Sequence, residues 1–183
     1  EHFLKGILSS KNRTLFKSLR FRVSKNQFIL EAGKINSYIA ADIAAFIRNK
    51  LMDTGVSFSF ETVMSHESKL QLLRDAKQKG YQVYLYFVAT DSPEINISRV
   101  KNRVKMKGHD VREDKIRNRY YRSLDLLFEA VKLSRRAYLF DNSSRYYELV
   151  AEIEFGKYVK MRDSDKEIPQ WFIDKIYSKR QKE

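Results

Sequence analysis

The chain of 183 residues contains no cysteine, which excludes a disulfide framework and any thiolate metal site. It has no apolar run near the roughly 20 residues that span a bilayer, and no charged-then-apolar leader opens it. We therefore expect a soluble, cytoplasmic protein with no membrane partner. Internal repeats and low-complexity segments are missing too, which removes repeat arrays from consideration. What is present is 43% hydrophobic and 13% aromatic residues, the composition of a globular chain. The length suits one domain that buries roughly two-thirds of its unfolded surface.

Charge is abundant but unevenly placed. The net charge is +13. Residues 99–136 carry thirteen basic and five acidic side chains, a local excess of +8, and residues 1–50 carry +7. A patch of this sign attracts nucleic acid, an acidic membrane surface or a small phosphorylated ligand, and charge alone does not choose among them. The segment from Gly108 to Ser123 is the most informative part. On a helix, Arg112, Lys115, Arg119 and Arg122 fall at steps of three, four and three, so their side chains leave one face. Ile116, Tyr120, Leu124 and Leu127 form a separate apolar stripe that can dock on a core. Arginine's planar fork pairs with phosphate oxygens and stays charged at any working pH. The same spacing also describes an ordinary solvated helix face.

Along the chain, strand and helix signals alternate. Phe21-Arg22-Val23 and Phe28-Ile29-Leu30 flank Ser24-Lys25-Asn26 as a hairpin would, without an Asn-Gly turn. Asn36 or Ser37 can cap a helix whose Ile39, Ile43, Ile47 and Leu51 share a face, with Gly55 as its stop. Val56 to Phe60 reads as a short strand. Ser65 can cap a helix with Leu70, Leu73 and Ala76 facing inward, ended by Gly80. The apolar run Tyr81–Ala89 predicts a strand covered on both faces. Ser92-Pro93 opens a further helix to about Lys107, the arginine-bearing helix follows, and residues 137–141 give another strand. Tyr158–Met161 predicts a small strand. A short helix is expected from Pro169 to Lys179, with Trp171, Ile173 and Ile176 packed inward. This order implies an α/β fold with a parallel sheet and flanking helices. The organisation expected is a single domain over residues 1–183: a hairpin-like segment 1–35, a core 36–145 and an extension 146–183.

In such a sheet, ligands gather beyond the carboxyl ends of the strands. The exits are Glu61-Thr62, Thr90-Asp91-Ser92 and Asp141-Asn142-Ser143-Ser144, all polar. A carboxylate at Glu61 could bind a substrate hydroxyl or help hold a metal, or it could merely bond the next helix's amino end. Asp91-Ser92 reads foremost as a helix cap, and Asp141-Asn142-Ser143 equally as a turn or a ligand loop.

Taken in order, several motifs coincide. They are Phe58-Ser59-Phe60-Glu61-Thr62, Lys79-Gly80-Tyr81, Ser92-Pro93-Glu94, Arg99-Val100-x-x-Arg103-Val104, Gly108-His109, Ile116-x-x-Arg119-Tyr120-x-Arg122-Ser123-Leu124 and Phe140-Asp141-Asn142-Ser143. The series resembles the zeta toxin-like family of P-loop kinases, particularly its bacterial branch of ABC-type ATPase-like proteins, over about residues 36–145. The resemblance implies transfer of phosphate from ATP, with Mg2+, to a hydroxyl of a small acceptor, a nucleotide-activated amino sugar in the best-known relatives. It implies that Glu61 and Thr62 lie at the acceptor site. Arg119 and Arg122 would belong to the lid over the ATP phosphates, as catalytic and cofactor-binding groups. Asp141 and Asn142 would lie towards the nucleotide base, and His109 would shape the lid. An antitoxin protein is a possible partner of such a chain.

One part of the family pattern is missing. A P-loop requires Gly-x-x-x-x-Gly-Lys-Ser/Thr, whose amides and lysine cradle phosphate. The two Gly-Lys pairs here, Gly33-Lys34 and Gly156-Lys157, are followed by Ile35 and Tyr158, and Phe28 and Ala151 stand five positions before each glycine. The short Asn-Ala-Asp-type segment that follows the family's P-loop is absent as well. Because both parts belong upstream of Glu1, we expect an N-terminally truncated chain that lacks its P-loop strand and does not bind ATP normally. Two other classes are a basic nucleic-acid-binding domain, with Tyr120, Tyr121, Tyr146 and Tyr147 near arginines, and a non-catalytic partner that lost its P-loop.

Overall fold

The computed structural model describes residues 19–25, 27–33, 36–162 and 167–181. In chain order the elements are β1 (Arg20–Ser24), β2 (Gln27–Ala32), α1 (Ser37–Asp53), α2 (Ser68–Gln78), β3 (Tyr84–Ala89), α3 (Pro93–Lys105), α4 (Glu113–Leu133), β4 (Arg136–Asp141), β5 (Glu148–Glu154), β6 (Tyr158–Met161) and a C-terminal helix α5 over residues 170–180. The middle of α5, Ile173–Tyr177, winds as a π-helix. Contacts divide the chain into two units, 1–60 and 61–183.

In the first unit, β1 and β2 pair antiparallel through a turn in which Lys25 adopts φ 48°. The expected hairpin is therefore formed, although Asn26 lies outside the described residues. Asn36 caps α1 as its sequence position predicts, its Oδ1 accepting from the amides of Tyr38 (3.0 Å) and Ile39 (2.9 Å). Leu19 and Ile39 are buried together, with Leu30 and Ile43 against them. Ile47, on the same predicted stripe, is half exposed at 50%. The expected strand at residues 56–60 is not one: these residues join no ladder. Phe58 and Phe60 stack at 6.3 Å, and the Arg48 guanidinium lies over the Phe60 ring. A strand exists only by pairing, and no described neighbour offers these residues an edge.

The second unit is built on one four-stranded sheet in the order β3-β4-β5-β6. Only β3 and β4 run parallel; β4 with β5 and β5 with β6 are antiparallel. The α/β class is as expected, but the wholly parallel sheet is corrected. The reason lies in the connections. Two helices link β3 to β4, whereas residues 142–147 and 155–157 are too few for a crossover and can make only hairpins. The second hairpin turns at Phe155 (φ 53°) and Gly156 (φ 68°). Strand β5 was not foreseen, because its Glu148, Glu152 and Glu154 interrupt the apolar run.

The core lies on one side of this sheet. Leu70 and Leu73 of α2, Leu124, Leu127, Phe128 and Val131 of α4, and Trp171, Phe172 and Ile176 of α5 pack with Phe87, Ala89, Ala137, Leu139, Ala151 and Ile153. Each fully buried leucine or isoleucine contributes roughly 1.5–3 kcal/mol by leaving water. The sheet's other side is different. Tyr84, Tyr86 and Val88 are 50%, 66% and 54% exposed, so the expectation that β3 is covered on both faces is also corrected. Two helix starts shift as well. Helix α2 begins at Ser68, not after Ser65, and the amide of Ser68 donates to His66 Nδ1. Arg112 sits at the cap position of α4, one residue outside the helix.

Candidate active site at the strand exits

The parallel register of β3 and β4 brings their carboxyl ends side by side, Ala89 opposite Asp141. The two exit loops are then tied together. The amide of Asn142 donates to the carbonyl of Ala89 (2.8 Å), and the amide of Asp91 donates to Ser143 Oγ (2.8 Å). Asp141 acts as the knot: its carboxylate accepts from the Ser143 amide (2.8 Å), from Ser143 Oγ (3.1 Å) and from Trp171 Nε1 of α5 (2.8 Å). Arg99 of α3 donates from Nη2 to the carbonyls of Asn142 (2.6 Å) and Ser144 (3.1 Å). The buried Thr90 hydroxyl accepts from Asn96 Nδ2 (2.9 Å) and donates to the carbonyl of Ser92 (3.0 Å).

Helix α4 reaches this exit through Tyr120, whose hydroxyl donates to the carbonyl of Thr90 (2.8 Å). Partial burial pushes the phenol up to about 12, and the negative charges of Asp91, Tyr121, Asp141 and Glu94 act in the same direction. The phenol thus stays a neutral donor at physiological pH. Arg119 and Arg122 flank Tyr120 in the sequence and are exposed.

The arginines around α4 are not equivalent. Arg112 pairs with Asp114 through two hydrogen bonds of 3.0 and 2.9 Å. Arg117 pairs with Glu94 of α3, which holds the Glu94 carboxyl below the usual range and raises Arg117. Lys101 pairs with Glu113 (2.7 Å). Among the described residues Lys115, Arg119 and Arg122 have no carboxylate partner. The predicted stripe therefore loses Arg112 to its own helix start and retains three cations.

The remaining candidates are placed less centrally. Glu61 is exposed and makes no hydrogen bond or ion pair with a described residue. The Thr62 hydroxyl accepts from the amide of Met64 (3.3 Å), whose φ is 56°. Neither residue bonds to the exits of β3 and β4. Asn142 contributes backbone groups to the exit network while its side chain stays without a described partner. Asp141 spends its carboxylate within the protein. His109 is exposed in the connection between α3 and α4. Gly108 has a structural role there: its amide donates to the Arg103 carbonyl (2.9 Å), and a Cβ would stand 2.5 Å from Arg103 Cγ.

Two features of this site were not anticipated from the sequence, the Arg99 clamp and the Trp171 bond to Asp141. The Asp-x-Ser spacing at 141–143 did signal the local turn, since an aspartate oxygen commonly takes the amide two residues on. Nothing in the sequence marked the lone tryptophan as its third donor.

The fit to a nucleotide and its metal is uneven. Unpaired guanidiniums suit a triphosphate. Of the two Gly-Lys pairs, Gly156 turns the β5–β6 hairpin, and Gly33 directly follows β2 while Lys34 lies outside the described residues. No group of three His, Cys, Asp or Glu residues among the described residues is arranged to hold a metal ion.

An uncharacterized protein of Haemophilus influenzae is 37% identical over 65 residues, which cover 36% of this chain and 46% of that protein. The chain thus matches about half the length of that curated relative. No solved structure matches it. The Zeta toxin family model matches residues 31–146, a span that contains α1 to β4, both exit loops and the three unpaired cations of α4. The chain belongs to the zeta toxin family.

Proposed function

We propose that this chain forms the acceptor and lid side of an ATP- and Mg2+-dependent kinase that phosphorylates a hydroxyl of a small acceptor of the nucleotide-sugar class. The carrying observation is the division among the arginines. Arg112 and Arg117 are neutralised by Asp114 and Glu94, whereas Arg119 and Arg122 have no carboxylate partner among the described residues and stand beside the Tyr120 that bonds the β3 exit. Leaving two guanidiniums unpaired next to a ligand-gathering edge serves anion binding better than stability.

In this reading Arg119 and Arg122 spread the charge that develops on the transferring phosphoryl group, which lowers the barrier without any bond to the protein. Glu61 receives or orients the acceptor hydroxyl, with Thr62 beside it. Asn142 offers its free amide on the nucleotide side, and Asp141 serves there by holding the loop. The phosphate cradle, the metal ligands and the catalytic base come from a P-loop strand and helix outside these 183 residues. Among the described residues β3 has a free edge and an exposed face, which supports this, because strands in parallel sheets are ordinarily paired and covered. An antitoxin protein is the partner that this activity calls for.

The test is phosphotransfer by the full-length gene product from ATP to a nucleotide-activated amino sugar. Arg119→Ala and Arg122→Ala should each lower kcat/KM by about two orders of magnitude or more, with melting nearly unchanged because both side chains are exposed. Glu61→Gln should slow turnover while ATP affinity holds. If the wild type transfers nothing and instead binds oligonucleotides with steep salt dependence, the kinase reading fails in favour of a nucleic-acid-binding domain.

A further inference from the structure

The bond from Trp171 to Asp141 joins two parts of the chain that the family match separates. Trp171 lies on α5, outside residues 31–146, and Asp141 ends β4 inside them. Trp171 is the chain's only tryptophan and is 4% exposed. Its ring fills the core against Phe172, while its N–H leaves the core to reach Asp141 Oδ2. A buried indole N–H requires a partner, and a carboxylate is a strong one.

The bond propagates. The Asp141 carboxylate fixes Ser143 through both its amide and its hydroxyl, and that hydroxyl receives the amide of Asp91 at the neighbouring exit. Lys175, one helical turn after Trp171, pairs with Asp125 of α4 at 2.7 Å, so α5 is anchored to the helix that carries Arg119 and Arg122.

We propose that Trp171 is a positioning residue: through Asp141 and Ser143 it sets the spacing of the two exit loops, so the C-terminal helix helps shape the nucleotide side of the site. This rests on the phosphotransfer reading for its functional consequence, but the coupling itself is a property of the fold. Without the indole N–H, Asp141 keeps only Ser143, its carboxylate is free to turn, and the Ser143 hydroxyl no longer has a fixed place to meet the Asp91 amide.

The experiment uses the full-length protein and two readouts. Amide hydrogen exchange should be at least about ten-fold faster at Asp91 and Ser143 in Trp171→Phe, while amides in the middle of α3 keep their wild-type rates. Trp171→Phe removes the donor and keeps an aromatic ring in the core. Ser143→Ala, which removes only the hydroxyl, should accelerate exchange at Asp91, and Ser143→Thr should restore it. In turnover, Trp171→Phe should raise KM for MgATP several-fold and leave kcat within about two-fold. Wild-type exchange at Asp91 and Ser143 in Trp171→Phe overturns the proposal whether or not the protein transfers phosphate. Altered exchange with unchanged KM in an active enzyme overturns its functional half. Absence of turnover in the wild type overturns the kinase reading, and exchange still decides the coupling.

Discussion

On the closed face of the four-stranded sheet, Phe87, Ala89, Ala137, Leu139 and Ile153 are each less than one-tenth exposed beneath α2, α4 and α5. On the open face, the same strands present Tyr84, Tyr86, Val88 and Tyr138. The residues alternate one by one along β3, so the two faces come from a single apolar run with period 2. The open face manages its exposure in two ways. Tyr86 and Tyr138 stack in register at 4.9 Å, and Arg136 bridges Glu152 (2.9 Å) and Glu154 (3.0 Å) across β4 and β5. The latter pairs hold the Arg136 guanidinium firmly protonated. Such contacts are modest in energy, roughly 0.5–1.5 kcal/mol for an aromatic pair and less for exposed ion pairs. The closed face is where this unit's stability resides.

The sharpest way to break that contrast is a matched pair of truncations. Leu139→Ala, on the closed face, should cost about 2–5 kcal/mol in urea unfolding. Tyr86→Ala, on the open face, should cost about 1.5 kcal/mol or less. Equal losses would mean that the open face is covered in solution. A second measurement sharpens the same contrast by comparing nitration of Tyr84 and Tyr86 with that of the partly buried Tyr120. Several-fold faster modification of Tyr84 and Tyr86 is expected, and equal rates would mean that the open face is covered in solution.

The smallest expected effect sits at the rim of the closed face. The Tyr120 phenol titrates at about 12 in the folded protein against an ordinary 10.0, so the native state holds its proton more tightly than the unfolded chain does. That contribution is fully present below pH 10 and is lost as pH rises from 10 to 12. Tyr120→Phe should flatten this part of the stability profile and leave the rest in place. An identical alkaline slope in both proteins would show that the Tyr120 phenol is not held in its partly buried setting beside the Asp91, Asp141 and Glu94 carboxylates.

Much of the local structure is legible in the residues themselves. Asn36 before α1, Pro93 at the first position of α3 and the apolar positions Leu70, Leu73, Leu124 and Leu127 follow rules that need only a few neighbouring residues. The ordered motifs from Phe58 to Ser143 were enough to indicate the family. The arginine spacing on α4 was also readable, and two of its members, Arg119 and Arg122, remain the best candidates for phosphate.

Local patterns did not extend to features that depend on partners distant in sequence. Residues 56–60 have a strand's composition but join no ladder among the described residues, so composition alone misread them. The sheet became mostly antiparallel because short connections after β4 leave only hairpins, and β5 hides behind three glutamates whose burial is set by Arg136 and Arg162. Which arginines stay free was decided by Asp114, at the start of the same helix, and by Glu94, on another helix. Whether Asp141 faces a ligand or the protein was decided by Trp171, 30 residues further on. Helix caps and periodicity act over one or two turns and are written in sequence. Ion pairing, sheet direction and the fate of a carboxylate depend on which distant groups the fold brings within 3 Å, and only the tertiary structure determines that.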